Sequence, residues 1–140
     1  MKNKKLTTER SLLKVLFFSV ITFGIYDLFF LHRLAKDVNT VCYEDEKRTS
    51  GIFALVILSV LTLGIYQIFW WYRIAHLISA AQRRAEMNDV ISPGFVLLCA
   101  ILSYTLFTIP YLVIIHQTCN AMNDLCYNYN YKLDNPDVAQ

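Results

Sequence analysis

The sequence predicts an all-α polytopic membrane protein with about three transmembrane helices, the first two forming an internal repeat. Three observations predict it. The 140 residues are 56% hydrophobic and only 17% charged, whereas a soluble domain usually carries about 25% charge. The apolar residues gather into three long runs. The first two runs are copies of one another. A mean hydropathy of +0.38 agrees. So apolar a chain, with 14% aromatics, is excluded from the disordered class. Four Gly, three Pro and four Cys exclude collagen-like and disulfide-dense classes.

The first run, Val15 to Leu31, is interrupted only by Asp27. Lys2, Lys4, Lys5, Arg10 and Lys14 crowd ahead of it, as before a signal peptide. No small-x-small cleavage site follows, and Arg33 and Lys36 do, so the segment is expected to stay as a helix. The second run, Ile52 to Tyr72, and the third, Phe95 to Ile115, carry no charge from end to end. A helix of either length is about 31 Å long and matches a hydrocarbon core of roughly 30 Å. The chain therefore divides as a single integral membrane domain over 1–140. Repeat one covers 11–39, repeat two 51–79, and the third helix with its polar tail 93–131.

The flanks fit that reading. Phe30, Trp70, Trp71 and Tyr72 end the first two runs, where amphipathic rings suit a headgroup layer. Arg33 and Arg73 follow, placed to snorkel toward phosphates. These six residues are the expected membrane-interface anchors. Loop one mixes signs, with Glu44-Asp-Glu46 running into Lys47-Arg48, as in a solvated loop.

The repeat keeps one constant offset, that from Ser19 to Ser59. Ser19-Val-Ile-Thr-Phe-Gly-Ile-Tyr26 aligns with Ser59-Val-Leu-Thr-Leu-Gly-Ile-Tyr66, then Phe29 with Phe69, Arg33 with Arg73 and Ala35 with Ala75. The third run carries a faint echo, Ser103 to Tyr111. On a continuous helix the repeated polar residues share an arc of about 80°. Ser19, Thr22, Tyr26, Ser59, Thr62 and Tyr66 are therefore a candidate helix-packing face, since hydroxyls suit a protein contact better than lipid.

Gly24 and Gly64, with Pro110 late in the third run, are candidate hinges. Thr-x-Gly is also a way for a helix to stop and turn. Two shallow hairpins would put the N-tail and both loops on one side, with 12 of the 13 Lys and Arg. The positive-inside rule favours that arrangement mildly. Unclosed backbone groups at a hairpin tip oppose it, so three spans are the first expectation and hairpins the second.

The repeated unit resembles the bacterial membrane family called domain of unknown function 4234. The residues that carry the resemblance are Ile21-Thr-Phe-Gly-Ile-Tyr26, Phe29-Phe30 and Arg33-Leu-Ala-Lys-Asp-Val-Asn39. The second copy is Leu61-Thr-Leu-Gly-Ile-Tyr66, Phe69-Trp70 and Arg73-Ile-Ala. Phe30 stands where the family pattern has Trp. The resemblance implies a bacterial inner membrane and no catalytic activity.

Chemistry-bearing constellations are sparse. A net charge of +2, without basic and aromatic residues interleaved along a strip, argues against nucleic acid. His32, His76 and His116 each follow an apolar run. No Walker sequence, G-x-S-x-G or H-E-x-x-H occurs, and no cofactor or metal is expected. The four cysteines form no C-x-x-C and read as unpaired thiols, with a Cys42 disulfide to Cys119 or Cys126 as the alternative. Asp27 is the candidate intramembrane acid, because an acidic group beside an apolar stretch is a functional candidate by default. The expected function is that of a small non-catalytic integral membrane protein. Its partners are the lipid bilayer and, by helix association, copies of itself or a partner membrane protein. The alternative is a subunit of an oligomeric transporter or pore. The expected location is a cell membrane, crossed several times, with the N-terminus cytoplasmic.

Overall fold

The computed structural model describes residues 5–42, 51–106 and 108–138. Lys2, Lys4 and the mixed-sign stretch Glu44 to Arg48 lie outside the described residues. Six helices follow in order: α1 (Leu12–Ile21), α2 (Ile25–Val41), α3 (Ile52–Leu61), α4 (Ile65–Arg84), α5 (Pro93–Leu102) and α6 (Thr108–Asp134), then a 3-10 turn at Pro136–Val138.

The all-α expectation stands, but the three spans do not. Each apolar run breaks near its middle, and among the described residues no helix is long and apolar enough to cross a membrane. The physical reason is a reversal of the backbone. Phe23 and Gly24 both take left-handed φ, 50° and 86°, and Leu63 and Gly64 repeat this at 52° and 89°. Two successive left-handed residues end a helix and send the chain back. Hydropathy along a run is blind to this, because both arms of a hairpin are equally apolar.

The result is three helical hairpins: α1–α2, α3–α4 and α5–α6. Each pairs a 10-residue first arm with a longer second arm of 17, 20 or 27 residues. The three long arms pack on one another; α1 and α3 lie chiefly against their own partners, and α5 lies against α4 as well as α6. Burial repeats with the hairpins. Val15, Leu55 and Val96 are the matched buried aliphatic residues of the short arms. On α2, the buried set is Phe30, Leu31, Leu34, Ala35 and Val38. On α4 it recurs at the repeat offset as Trp70, Trp71, Ile74, Ala75 and Ile78. The same spacing falls once more on Ile114, Ile115, Thr118, Cys119 and Met122 of α6. These i, i+1, i+4, i+5 stripes are core faces of amphipathic helices. The internal repeat is thus threefold in structure, and its third copy keeps the burial pattern after losing the turn motif.

Three of the expected interface anchors are core residues. Trp70 and Trp71 are 3% and 1% exposed, and their rings pack edge to face at 5.2 Å, with Tyr111 against Trp71 at 5.9 Å. Phe30 is buried as well. The reversal at Gly64 turns this part of α4 into the bundle, so these rings are not available to a headgroup layer. Pro110 sits in the first turn of α6 rather than late in a long helix. A missing N–H is harmless there, since the first-turn amides have no helical acceptor.

Polar side chains pin the open end of the bundle. Asn123 and Asn130, two turns apart along one side of α6, each hold a backbone pair of the N-terminal segment. Asn130 accepts from the Leu6 amide and donates to the Leu6 carbonyl, both at 2.8 Å. Asn123 accepts from the Arg10 amide at 2.9 Å and donates to its carbonyl at 2.8 Å. The Arg10 guanidinium pairs with the buried Asp37 carboxylate. Buried Gln82 accepts from the Ile91 amide at 2.9 Å and donates to the Asp89 carbonyl at 3.0 Å, tying down the α4–α5 connection.

All four cysteines are buried and none is in a disulfide, so none joins Cys42 to Cys119 or Cys126. Burial pushes the Cys119 thiol up to about 11, with Arg10 pulling it back only in part. A pKa of about 11 leaves roughly 300-fold less thiolate at neutral pH than an ordinary thiol near 8.5. Iodoacetamide labelling of Cys119, read by mass spectrometry, should be slower by at least that factor in the folded chain than in urea. It should rise about tenfold per pH unit. Because the folded state favours the neutral thiol, its contribution is complete below about pH 8.5. It is lost as pH climbs through about 11.

Candidate functional site

The three turns lie at one end of the bundle. α1 starts beside Asn123 of α6, where the Arg10 backbone is clasped. α3 starts at Gly51, across a cleft from Lys36, Asn39 and Thr40 in the last part of α2. α5 starts at a cleft shared by Ser92, Phe95 and Asn120. All three short arms thus leave the same polar base and climb the same 10 residues, about 15 Å. Tips two and three touch: a Cβ built on Gly64 would collide with the Tyr104 hydroxyl. The first hairpin joins through contacts of α1 and α2 with α6 and of α2 with α3 and α4.

Large apolar side chains cover this end. Phe23 and Leu63, at the turns themselves, are 97% and 87% exposed, and Phe17, Val60, Leu106 and Ile109 are exposed around them. Covering a side chain of this size is worth about 1.5–3 kcal/mol each.

The turns close their own backbone groups. The Gly24 amide bonds to the Ser19 carbonyl at 2.9 Å, and the Gly64 amide to Ser59 at 2.6 Å. This six-to-one bond marks a Schellman ending. The Thr hydroxyl then bridges the two arms. Thr22 Oγ1 donates to the Phe18 carbonyl at 2.7 Å and accepts from the Tyr26 amide at 2.9 Å. Thr62 does the same with Leu58 at 2.6 Å and Tyr66 at 3.0 Å. The Phe18 and Leu58 carbonyls also accept from the Thr22 and Thr62 amides, so the hydroxyl's own contribution is to tie the two arms together and give the Tyr26 and Tyr66 amides an acceptor. The recurring Thr-x-Gly-Ile-Tyr is therefore the residue set of a self-satisfied hairpin tip.

The other singled-out residues sit within their own hairpins. Ser19 donates to the Asp27 carboxylate across hairpin one. Its counterpart Ser59 is buried at the hydroxyl without a partner, where Gln67 replaces Asp27. Tyr26 stacks on Phe18 at 5.1 Å, and Tyr66 packs at the edge of the core. Tyr72, Arg33 and Arg73 lie further down the long arms at the surface. A cavity of about 400 Å³ opens between α4, α5 and α6, lined by Gln67, Trp71, Ser103, Tyr104 and Tyr111. It holds hydroxyl and amide groups but no nucleophile beside a base. Among the described residues no His, Cys, Asp and Glu gather into a metal-holding group. The burial-matched third hairpin and the Asn123–Asn130 clasp were missed from sequence; the heptad-like Asn spacing was the signal available for the clasp.

Thr62→Val removes both bridging bonds at nearly constant volume. It should lower stability by about 1–3 kcal/mol, with Thr62→Ser restoring most of it, by urea denaturation. Gly24→Ala and Gly64→Ala should each cost about 1–2 kcal/mol for the left-handed backbone. The Gly64 variant should cost more, and adding Tyr104→Ala should remove that excess.

No curated protein and no solved structure matches the chain. The family described as a domain of unknown function (DUF4234) matches it twice, over residues 10–56 and 50–124. The first match covers the first hairpin and the second covers the other two, which agrees with a tandem arrangement. Together the two matches take in every hairpin tip, and on that extent the chain belongs to the DUF4234 family.

Proposed function

We propose that this is a non-catalytic protein of the cell membrane, held in one leaflet by its three hairpin tips. It acts by association, with further copies of itself or with a partner membrane protein. The single observation that carries this reading is the apolar end in which Phe23 and Leu63 face outward while the turn backbone is closed by Thr22 and Thr62. Backbone in hydrocarbon has to satisfy its polar groups internally, and the first two turns meet much of that need with their own glycine-amide and threonine-hydroxyl bonds. An arm of about 15 Å is about half of a hydrocarbon core of roughly 30 Å, so the tips reach the midplane and go no further.

Charge supports an orientation. None of the 13 Lys and Arg falls within the three apolar runs. With the tips inserted, the N-terminal segment, both connections and the tail share one aqueous side. The positive-inside rule makes that side the cytoplasm, and the family resemblance favours a bacterial inner membrane. A transporter or pore subunit needs elements that cross the whole bilayer, so the hairpins favour association over conduction.

Flotation on neutral phosphatidylcholine vesicles tests the reading. The full chain should float, and external protease should reach both termini and both connections. The double variant Phe23→Asp, Leu63→Asp should keep its helical circular dichroism, because both side chains are exposed and Asp accepts positive φ more readily than they do. A charge near the bilayer centre costs up to about 2.5–3.5 kcal/mol, so vesicle partitioning should fall by at least about 100-fold. A variant that floats as well as the wild type would remove the hairpin tips from membrane binding.

A further inference from the structure

The geometry points to a binding site for the phosphate of a glycerophospholipid, at the foot of the first hairpin. It rests on the membrane-docking reading for its lipid source. A cavity of about 180 Å³ lies between α1, α2 and the clasped N-terminal segment. Ser11, Lys14 and Arg33 line it toward the base, and Tyr26 and Phe29 line it toward the tip.

The two cations are available. Arg33 donates to the Thr7 hydroxyl at 2.7 Å and Lys14 to the Glu9 carbonyl at 3.4 Å. Both acceptors are neutral, and among the described residues neither cation has a carboxylate within salt-bridge distance. Arg10, on the same cavity, is already committed to Asp37. Ser11 precedes α1 and takes no capping bond on its side chain, and its hydroxyl carries an O–H donor. Glu9 on the rim is exposed, and the two free cations outnumber it. An ammonium and a guanidinium flanking a hydroxyl suit one phosphate oxyanion group.

Depth selects a lipid over free phosphate. Arg33 lies beyond Gly24 by two and a half turns of α2, about 14 Å along the axis. With the tip at the midplane, the cations stand at the edge of the hydrocarbon, where phosphates lie. Exposed Phe29 and half-buried Tyr26 continue from the cavity toward the tip, along the path an acyl chain takes. The second hairpin is not equipped this way. The positions matching Lys14 and Ser11 at the repeat offset are Ala54 and Gly51.

The test uses the full chain in dodecyl maltoside micelles, which contain no phosphate. Phosphatidylglycerol is titrated into the micelles, and inorganic phosphate into the buffer in a parallel arm. Side-chain nitrogen resonances of Lys14 and Arg33 report occupancy. Phosphatidylglycerol should shift both, saturably, and Lys14→Gln with Arg33→Gln should weaken it more than tenfold. Lys14→Gln alone, which removes only the contact to the Glu9 carbonyl, should weaken it measurably, and Lys132→Gln should leave it unchanged. Shifts absent in both arms, or unaltered affinity in the double variant, would overturn the site. Phosphate saturating the site as tightly as the lipid would overturn the lipid assignment. The double variant should still float on neutral vesicles. Loss of lipid binding with flotation intact is expected, and failure of the wild type to float would strike the docking reading while leaving the micelle result standing.

Discussion

The constraint on which the rest of the structure depends is that a helix reversing its direction must find partners for the backbone groups it frees. Here one threonine hydroxyl does so for both arms. It donates to one carbonyl in the last turn of the first arm and accepts from one amide in the first turn of the second. Without that bridge the tip would need water or a covering segment. With it, the most apolar side chains of the molecule can surround the turn and face outward.

The three hairpins depart from one another in ways that assign them different work. In the first, Asp27 takes a hydrogen bond from Ser19 and so is held inside its own hairpin. An acid bonded to a hydroxyl of its own hairpin serves the turn region's structure. In the second, Gln67 replaces it and Gly64 receives the Tyr104 hydroxyl from the third. The third hairpin has no Thr-x-Gly at all, yet its long arm carries the two asparagines that clasp the N-terminal segment. Three similar units are thus joined into one body by side chains that the repeat does not share.

The polar base and the apolar end follow from the unequal arm lengths. Short arms of 10 residues leave the second halves of α2, α4 and α6 to pack on one another. Those halves hold much of the core, which Trp70 and Trp71 nearer the tip and Val15, Leu55 and Val96 of the short arms complete. Its buried polar members, Asp37, Ser79, Gln82 and Thr118, lie in this lower part of the bundle. Asp37 and Gln82 bond to the N-terminal segment and the α4–α5 connection. The tip end is correspondingly poor in long-range polar ties.

By itself the sequence determined that the chain is helical and apolar, that its first two segments are copies, and that Thr, Gly and Tyr recur at fixed spacing. Each of these is local: composition, periodicity and identity at a constant offset need no fold to be read. Whether a long apolar run continues or turns back was decided by two left-handed residues and a hydroxyl bridge. That choice is a competition between straight-helix hydrogen bonds and the turn's own, and hydropathy is the same for both. The tertiary structure also decided that Trp70 and Trp71 are core, because folding back gives α4 a buried face that an isolated helix lacks. The third copy became visible only there, since its kinship lies in which positions are buried, a property that packing alone assigns.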